Sequence, residues 1–146
     1  MNKIINIAVV GLGQIGIYLL NELSIKKKEI ELKTGKKINI VAISAKNINK
    51  KRQFKINKKI FFKNPLEIFK NKKIDVLFEV IGLSDGISKK LVVTALKNKT
   101  HVITPNKALI SKHGDYLAKL AEDNNVNLEF EASVAGGIPI LSTIKE

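Results

Sequence analysis

The beginning of the chain contains the feature that most restricts the fold. An apolar, β-branched run from Ile4 to Val10 leads directly into Gly11-Leu12-Gly13-Gln14-Ile15-Gly16. In a dinucleotide-binding fold, the first such glycine permits the tight turn, the second lets backbone approach a pyrophosphate, and the third lets helix and strand pack closely. The pattern therefore predicts a strand, a glycine turn and a helix whose N-terminal N–H groups receive phosphates.

The residues after the turn favour this interpretation over a plain corner between a strand and a helix. Apolar residues recur there at near-helical spacing, so the glycines precede a helix rather than lie in an irregular loop. These apolar residues are Ile15, Leu19, Leu20 and Leu23. The predicted cofactor-binding residues of the turn are Gly11, Leu12, Gly13, Gln14, Ile15 and Gly16.

Further along the chain, apolar runs alternate with helical segments. Strands are predicted at residues 38–44, 76–81, 101–104 and 127–131. Helices are predicted after the glycine turn, briefly after Pro65, and at about residues 84–97 and 108–124. A basic stretch at 46–59 is predicted as a loop or crossover. This alternation is typical of an α/β fold with a Rossmann-type doubly wound parallel sheet.

Length and composition are consistent with one domain. The chain has 146 residues, 45% of them hydrophobic, which can supply a single core. It contains no cysteine (Cys 0), which excludes disulfides and thiolate chemistry. Because the N-terminus carries no signal-like apolar segment, the expected location is cytoplasmic. Apolar runs are too short for a transmembrane helix, so no membrane partner is expected.

The net charge raises the question of nucleic acid. Lys+Arg 26 against Asp+Glu 13 gives +13 at pH 7, and a basic chain can bind polyanions. The lysines are scattered among isoleucine and asparagine, without zinc-ligand spacing, a helix-turn-helix pattern or an aromatic platform. We expect most of them to be solvated and expect no nucleic-acid partner. Nucleic-acid binding by this basic chain is kept as an alternative hypothesis.

The residues that follow the 38–44 run bear on cofactor choice. In this fold an acidic side chain there binds the ribose 2′-hydroxyl of NAD, whereas a cation accommodates the 2′-phosphate of NADP. The chain reads Ser44-Ala45-Lys46, so Lys46 is predicted as a cofactor-binding residue and NADP is favoured over NAD. The alternative is that a lysine-rich chain offers such a cation by chance.

Two other strand ends are expected at the same edge of the sheet, where ligands of open α/β sheets bind. Glu79, in an otherwise apolar run, is either paired or functional. The turn after it contributes Gly82 to the predicted cofactor site. Lys107 follows Pro105 at a predicted helix start, where the helix dipole disfavours a cation. Its position indicates a side chain that reaches over the crevice, although a solvated lysine is the alternative.

Four segments together are similar to the nucleotide-binding half of homoserine dehydrogenase. They are 11–16, 104–109 (Thr-Pro-Asn-Lys-Ala-Leu), 113–114 (His-Gly) and 130–139 (Phe-Glu-Ala-Ser-Val-Ala-Gly-Gly-Ile-Pro). The resemblance implies NAD(P)-dependent interconversion of L-homoserine and L-aspartate 4-semialdehyde, on the route to threonine, methionine and isoleucine. The family's paired glycine reads Gly82-Leu83 here, and a proline usual shortly afterwards is missing.

The resemblance also implies roles for particular residues. It makes the turn from Leu12 to Ile15 the pyrophosphate site and places Lys107 beside the nicotinamide, near the substrate, as the catalytic candidate. It further implies a monovalent cation, usually sodium, bound by oxygen atoms. The implied metal ligands are Glu131, Val134, Gly136 and Ile138.

The resemblance implies a further domain as well. We expect residues 1–146 to be the NAD(P)-binding domain, with the family's substrate and catalytic domain expected after residue 146 and absent here. The isolated chain is then expected to be inactive, and the full-length enzyme to be a homo-oligomer. The alternative is a stand-alone NADP(H)-binding regulatory module without catalysis.

Overall fold

The chain folds around one parallel sheet. A computed structural model describes residues 3–46, 56–70 and 72–130. Within them the sheet has six strands, which are β1 (Ile4–Val10), β2 (Lys37–Ser44), β3 (Phe61–Phe62), β4 (Val76–Glu79), β5 (His101–Thr104) and β6 (Leu128–Phe130). They lie in the order β3-β2-β1-β4-β5-β6, and every pairing is parallel. This order confirms the predicted Rossmann-type doubly wound fold.

Helices cover both faces of the sheet. Successive side chains of a strand point to opposite faces, and β1 shows this directly. Ile7 and Val9 pack in one buried cluster with leucines of the helix that follows the glycine turn, whereas Ala8 and Val10 pack in another with residues of the helices that follow β4 and β5. The helices are α1 (Gln14–Ile25), α2 (Lys27–Thr34), α3 (Ile87–Lys97) and α4 (Lys107–Asp123), with 3₁₀ turns at Lys58–Ile60 and Pro65–Phe69.

The end of β4 differs from the prediction. The strand was expected to reach residue 81 but ends at Glu79. The Glu79 carboxyl accepts hydrogen bonds from the backbone N–H groups of Ile81 and Gly82, and Gly82 has a φ of 93°. This local turn takes the chain out of the sheet before the apolar pattern ends.

Smaller differences affect the other elements. Helix α3 begins at Ile87 rather than near residue 84, because Gly86 before it has a φ of 64°. Helix α4 begins at Lys107, β2 at Lys37, and β6 spans Leu128–Phe130, each close to its predicted bounds. The predicted loop at 46–59 includes residues 47–55, which lie outside the described ranges.

Two elements were not predicted. Helix α2 buries only Ile30, so its apolar pattern is weak; the Lys33–Glu29 ion pair and the left-handed Gly35 at its end support it locally. Strand β3 is a two-residue pairing with β2, too short to give a periodic signal. Within the part of the chain that the structure describes, no helix is long and apolar enough to cross a membrane.

The glycine turn brings α1 against the sheet at very short distances. Gly11 has a φ of 105°, and a Cβ there would lie 2.6 Å from the carbonyl carbon and oxygen of Val80. A Cβ on Gly16 would lie 1.9 Å from the carbonyl oxygen of Gly11. Backbone occupies the space of both side chains, so α1 can start here only because these residues are glycines.

We expect Gly16→Ala to lower the free energy of unfolding by about 3 kcal/mol, because the methyl group must displace the backbone of the turn. Urea unfolding followed by circular dichroism would measure the loss. Gly114→Ala is the matched control, since Gly114 is also helical and a Cβ there would meet, among the residues that the structure describes, only the side-chain Cγ2 of Ile110, at 3.3 Å. That variant should be neutral or more stable by up to about 1 kcal/mol. Equal losses in the two variants would contradict the packing argument.

Candidate functional site

A crevice of about 560 Å³ opens at the carboxyl edge of the sheet. It lies where the strand order reverses between β1 and its neighbours, the place where open α/β sheets bind ligands. The ends of β1 and β2, the segments that follow the first four strands and the start of α3 form its walls. The lining residues are Val10, Gly11, Leu12, Gly13, Ser44, Ala45, Lys46, Lys63, Pro65, Val80, Ile81, Leu83 and Ile87.

The N-terminus of α1 borders this crevice without a cap of its own. Gly13 is the N-cap residue, and α1 has neither a side-chain cap nor an acidic residue in its first turn. The first intrahelical bond runs from the Ile17 N–H to the Gly13 carbonyl, at 3.0 Å. The N–H groups of Gln14, Ile15 and Gly16, in the first turn of α1, therefore have no carbonyl within the helix to accept from them. Together with the helix dipole, these groups can bind an anion.

Gly13 differs from the other two glycines of the turn. A Cβ on Gly13 would meet no atom of the described residues within 4 Å, whereas one on Gly11 or Gly16 would collide with backbone. Packing within the described part of the chain therefore requires the first and third glycines but not the second. The free space at Gly13 is a place that a Cβ would fill, and it suits the close approach of a pyrophosphate.

The end of β2 supplies polar groups to the same crevice. Ser44 is 1% exposed, and among the described residues its hydroxyl has no hydrogen-bond partner. Its carbonyl accepts from the Gly11 N–H at 2.9 Å, which ties β2 to the glycine turn. Lys46 also lines the crevice, and Lys63, after β3, joins it there. No distinct sequence signal marked Lys63, because β3 was not predicted and lysines are common throughout the chain.

Glu79 is paired rather than directed into the crevice. Its side chain is fully buried. Both carboxyl oxygens accept hydrogen bonds, one from the loop after β4 and from α3, the other from the end of β5 and the residue that caps α4. The donors are Ile81 N, Gly82 N, Ser88 Oγ, Thr104 Oγ1 and Asn106 Nδ2. The structure thus shows that this buried carboxyl group is paired within the protein.

Lys107 begins α4 at the same edge of the sheet. The N-cap of this helix is Asn106, whose side-chain oxygen accepts from the Leu109 N–H at 3.0 Å. The Lys107 side chain is exposed. Lys107 and Gly82 are not among the residues that line the crevice beside α1. Lys107 and the glycine turn therefore lie at the same edge of the sheet, and the loops that follow β4 and β5 separate them.

The remaining predicted residues occupy different positions. Gln14 and Ile15 are exposed on the first turn of α1, while Gly16 is buried beneath it. The proposed metal ligands lie outside the described residues: Glu131, Val134, Gly136 and Ile138. Within the described ranges, no group of three or more His, Cys, Asp or Glu side chains could hold a metal ion.

A charged cluster joins the loop before α3 to α4. The Asp85 carboxyl accepts from Lys112 Nζ at one oxygen and lies 2.8 Å from His113 Nε2 at the other. The hydrogen bond from Lys112, and next that from His113, lower the pKa of Asp85 from 3.8 to about 2. Sequence reasoning missed this cluster because Asp85 lies on the loop before α3, far along the chain from Lys112 and His113 on α4.

A family model for homoserine dehydrogenase, NAD binding domain, matches residues 11–131. The chain is 38% identical to homoserine dehydrogenase of Neisseria gonorrhoeae over 144 residues, which cover 99% of this chain and 33% of that protein. The enzyme of Bacillus subtilis is 33% identical over the same share of both chains. The chain thus spans about a third of the length of these relatives.

Solved structures show the same similarity in three dimensions. A crystal structure of S. aureus homoserine dehydrogenase at pH 8.5 superimposes with a TM-score of 0.83 and 36% identity, over 91% of this chain and 33% of that one. The enzyme of Thiobacillus denitrificans gives a TM-score of 0.80 and 32% identity, over 94% of this chain and 32% of that one. The backbone of this chain therefore matches that of solved homoserine dehydrogenases.

We expect the Asp85 cluster to make the stability of the protein depend on pH under acidic conditions. Because the pKa of Asp85 is lowered from 3.8 to about 2, its stabilising effect is complete above pH 3.8 and is lost as the pH falls through about 2. Lys112→Met should raise the pKa of Asp85 towards 3.8, as measured by the carboxyl ¹³C shift. Lys119→Met is the control, since Lys119 pairs with Asp123 instead. An unchanged midpoint in Lys112→Met would contradict the assignment.

Proposed function

Because the chain belongs to the homoserine dehydrogenase family, in which it matches the NAD-binding domain, we propose that it binds the nicotinamide dinucleotide for the interconversion of L-homoserine and L-aspartate 4-semialdehyde. The observation that supports this most directly is the free space at Gly13, next to an uncapped helix N-terminus. Packing among the described residues does not require that glycine, whereas a bound pyrophosphate does.

The residues of the crevice suggest how the cofactor is held. The turn from Leu12 to Ile15 receives the pyrophosphate on backbone N–H groups. The buried Ser44 hydroxyl, which lines the crevice, is available to a ribose hydroxyl. When bound, the nicotinamide supplies the hydride that the aldehyde carbon receives. Lys107, at the start of α4, holds a proton at Nζ for the alkoxide oxygen that develops.

The rest of the proposal concerns the larger enzyme. The chain spans about a third of its relatives, so we assign it the cofactor domain and assign substrate binding to a further domain. By itself the chain binds cofactor and does not catalyse the reaction, since hydride transfer needs substrate held in near-attack geometry.

We further propose that the larger enzyme is a cytoplasmic homo-oligomer in threonine, methionine and isoleucine biosynthesis. A sodium ion is proposed to bind at Glu131, Val134, Gly136 and Ile138. Family membership favours this over a stand-alone regulatory module.

Cofactor preference follows from the charge at the end of β2. Lys46 and Lys63 line one crevice, and the described part of that lining contains no carboxylate. Two ammonium groups suit a 2′-phosphate, whereas a ribose 2′-hydroxyl is usually bound by an acidic side chain. We therefore propose that NADP(H) is preferred over NAD(H).

The dinucleotide site can be tested by calorimetric titration of the chain with NADPH and NADH. We expect saturable binding that is lost in Gly13→Asp, because the new carboxylate occupies the free space and repels the pyrophosphate. Asn21→Asp is the matched control, since it adds the same charge to an exposed position further along α1 and should bind like the unchanged chain. Failure of the unchanged chain to bind either cofactor would refute the proposed function.

The preference for NADP can be tested separately. We expect Lys46→Ala and Lys63→Ala each to weaken NADPH binding by about tenfold, by loss of one charge-assisted hydrogen bond, and to leave NADH binding nearly unchanged. Lys59→Ala serves as the control, because Lys59 is exposed and does not line the crevice. Equal effects on NADPH and NADH would mean that neither lysine contacts a 2′-phosphate.

A further inference from the structure

We infer that Glu79 is a positioning residue of the dinucleotide site, which acts on Lys107 by holding the Asn106 cap of α4 against the β4 loop. The inference rests on the proposed function, since it gives Glu79 a role in presenting Lys107 to the nicotinamide. Glu79 is fully buried at the end of β4. Its two carboxyl oxygens face different loops.

The first oxygen holds the loop between β4 and α3. Glu79 Oε2 accepts from Ile81 N at 2.9 Å and from Gly82 N at 3.2 Å. It also accepts from Ser88 Oγ at 3.1 Å, and Ser88 Oγ in turn accepts from Leu83 N at 3.2 Å. Ile81 and Leu83 both line the crevice, so this oxygen sets the shape of one crevice wall.

The second oxygen holds the connection between β5 and α4. Glu79 Oε1 accepts from Thr104 Oγ1 at 2.7 Å and from Asn106 Nδ2 at 3.2 Å. Thr104 Oγ1 accepts from Asn106 N at 3.0 Å, so the backbone and the side chain of Asn106 are both tied to Glu79. The Asn106 amide also donates to the Leu83 carbonyl at 2.7 Å, which closes a link between the two loops.

This network ends at Lys107. The Asn106 side-chain oxygen caps α4 through Leu109 N, and Lys107 is the first residue of that helix. The position of the Lys107 backbone is therefore set by a residue whose amide group bonds to Glu79 and to Leu83. A change at Glu79 would reach Lys107 through one intervening residue.

Stability alone does not account for a carboxyl group here. The other residues of β4 are buried and apolar, and an unpaired polar group among them would be costly. A buried polar network is weak support for stability, because apolar packing of similar volume often serves as well. What the network provides is a fixed relation between two loops at the ligand edge of the sheet, which apolar contacts define less sharply.

The position of Lys107 relative to the nicotinamide ring can be tested with the oxidised and the reduced cofactor, because the charge of the ring differs between them. The oxidised nicotinamide ring carries a positive charge and the reduced ring does not. An ammonium group beside the ring therefore favours NADPH over NADP⁺ by electrostatic repulsion. The ratio of the two affinities reports the position of Lys107, whereas a general loss of stability would weaken both cofactors alike.

The experiment compares calorimetric affinities for NADPH and NADP⁺ in the unchanged chain, Glu79→Gln, Lys107→Ala and the double variant. In Glu79→Gln the new NH₂ group faces hydrogen-bond donors, so one of the two loops must shift. We expect Lys107→Ala to lower the NADPH preference by about fivefold. Glu79→Gln should lower it in the same direction, and the double variant should go no further than Lys107→Ala.

Two further variants keep the result interpretable. Thr100→Val removes a buried hydroxyl that donates to the Ile74 carbonyl at 2.6 Å, at the opposite end of β5. It should lower stability without changing the affinity ratio. If Glu79→Gln does not fold, Thr104→Val removes only one bond to Glu79 and should lower the ratio in the same direction.

The outcomes separate the two proposals. Absence of dinucleotide binding in the unchanged chain would refute the proposed function and this inference with it. Normal binding with an unaltered ratio in Glu79→Gln, in Thr104→Val or in Lys107→Ala would overturn the inference alone. The inference would also be overturned if Glu79→Gln changed the affinity ratio equally in the presence and in the absence of the Lys107 side chain, because Glu79 would then act by another route.

Discussion

Direct contact between backbone and backbone at the start of α1 is the constraint on which the site depends. Gly16 lies against the carbonyl oxygen of Gly11, and Gly11 lies against the carbonyl of Val80. Because no side chain fits between them, the first turn of α1 sits at the junction of β1 and β4. The N–H groups of that turn then border the crevice, and Gly13 leaves the space in which a phosphate can approach.

A second constraint links the loops beyond that junction. The buried Glu79 carboxyl joins the chain after β4 to the chain after β5. Since Val80, next to Glu79, packs against Gly11, the segments after β1, β4 and β5 meet as one surface at the carboxyl edge. A buried carboxyl is tolerated here because each oxygen has several donors, which offset the loss of hydration.

Local patterns predicted an element well where chemistry also marked its ends. Strand β1 stops before Gly11 and β5 stops before Pro105, and both strands have their predicted bounds. Prediction failed where the signal was weak or not local. Helix α2 buries one residue and β3 spans two, so neither has a recognisable period. The early end of β4 follows from side-chain bonds of Glu79 to its own loop, which apolar periodicity does not record.

The sequence by itself determined the alternation of strands and helices, the glycine turn and the family resemblance, because these depend on residues that are close together in the chain. Tertiary structure alone decided which distant residues meet. Thr104 and Asn106, the partners of Glu79, come from β5 and the segment after it, and Lys63 joins Lys46 in one crevice. The physical reason is that parallel strands align their carboxyl ends at one edge whatever their separation in sequence, so crossovers set these contacts.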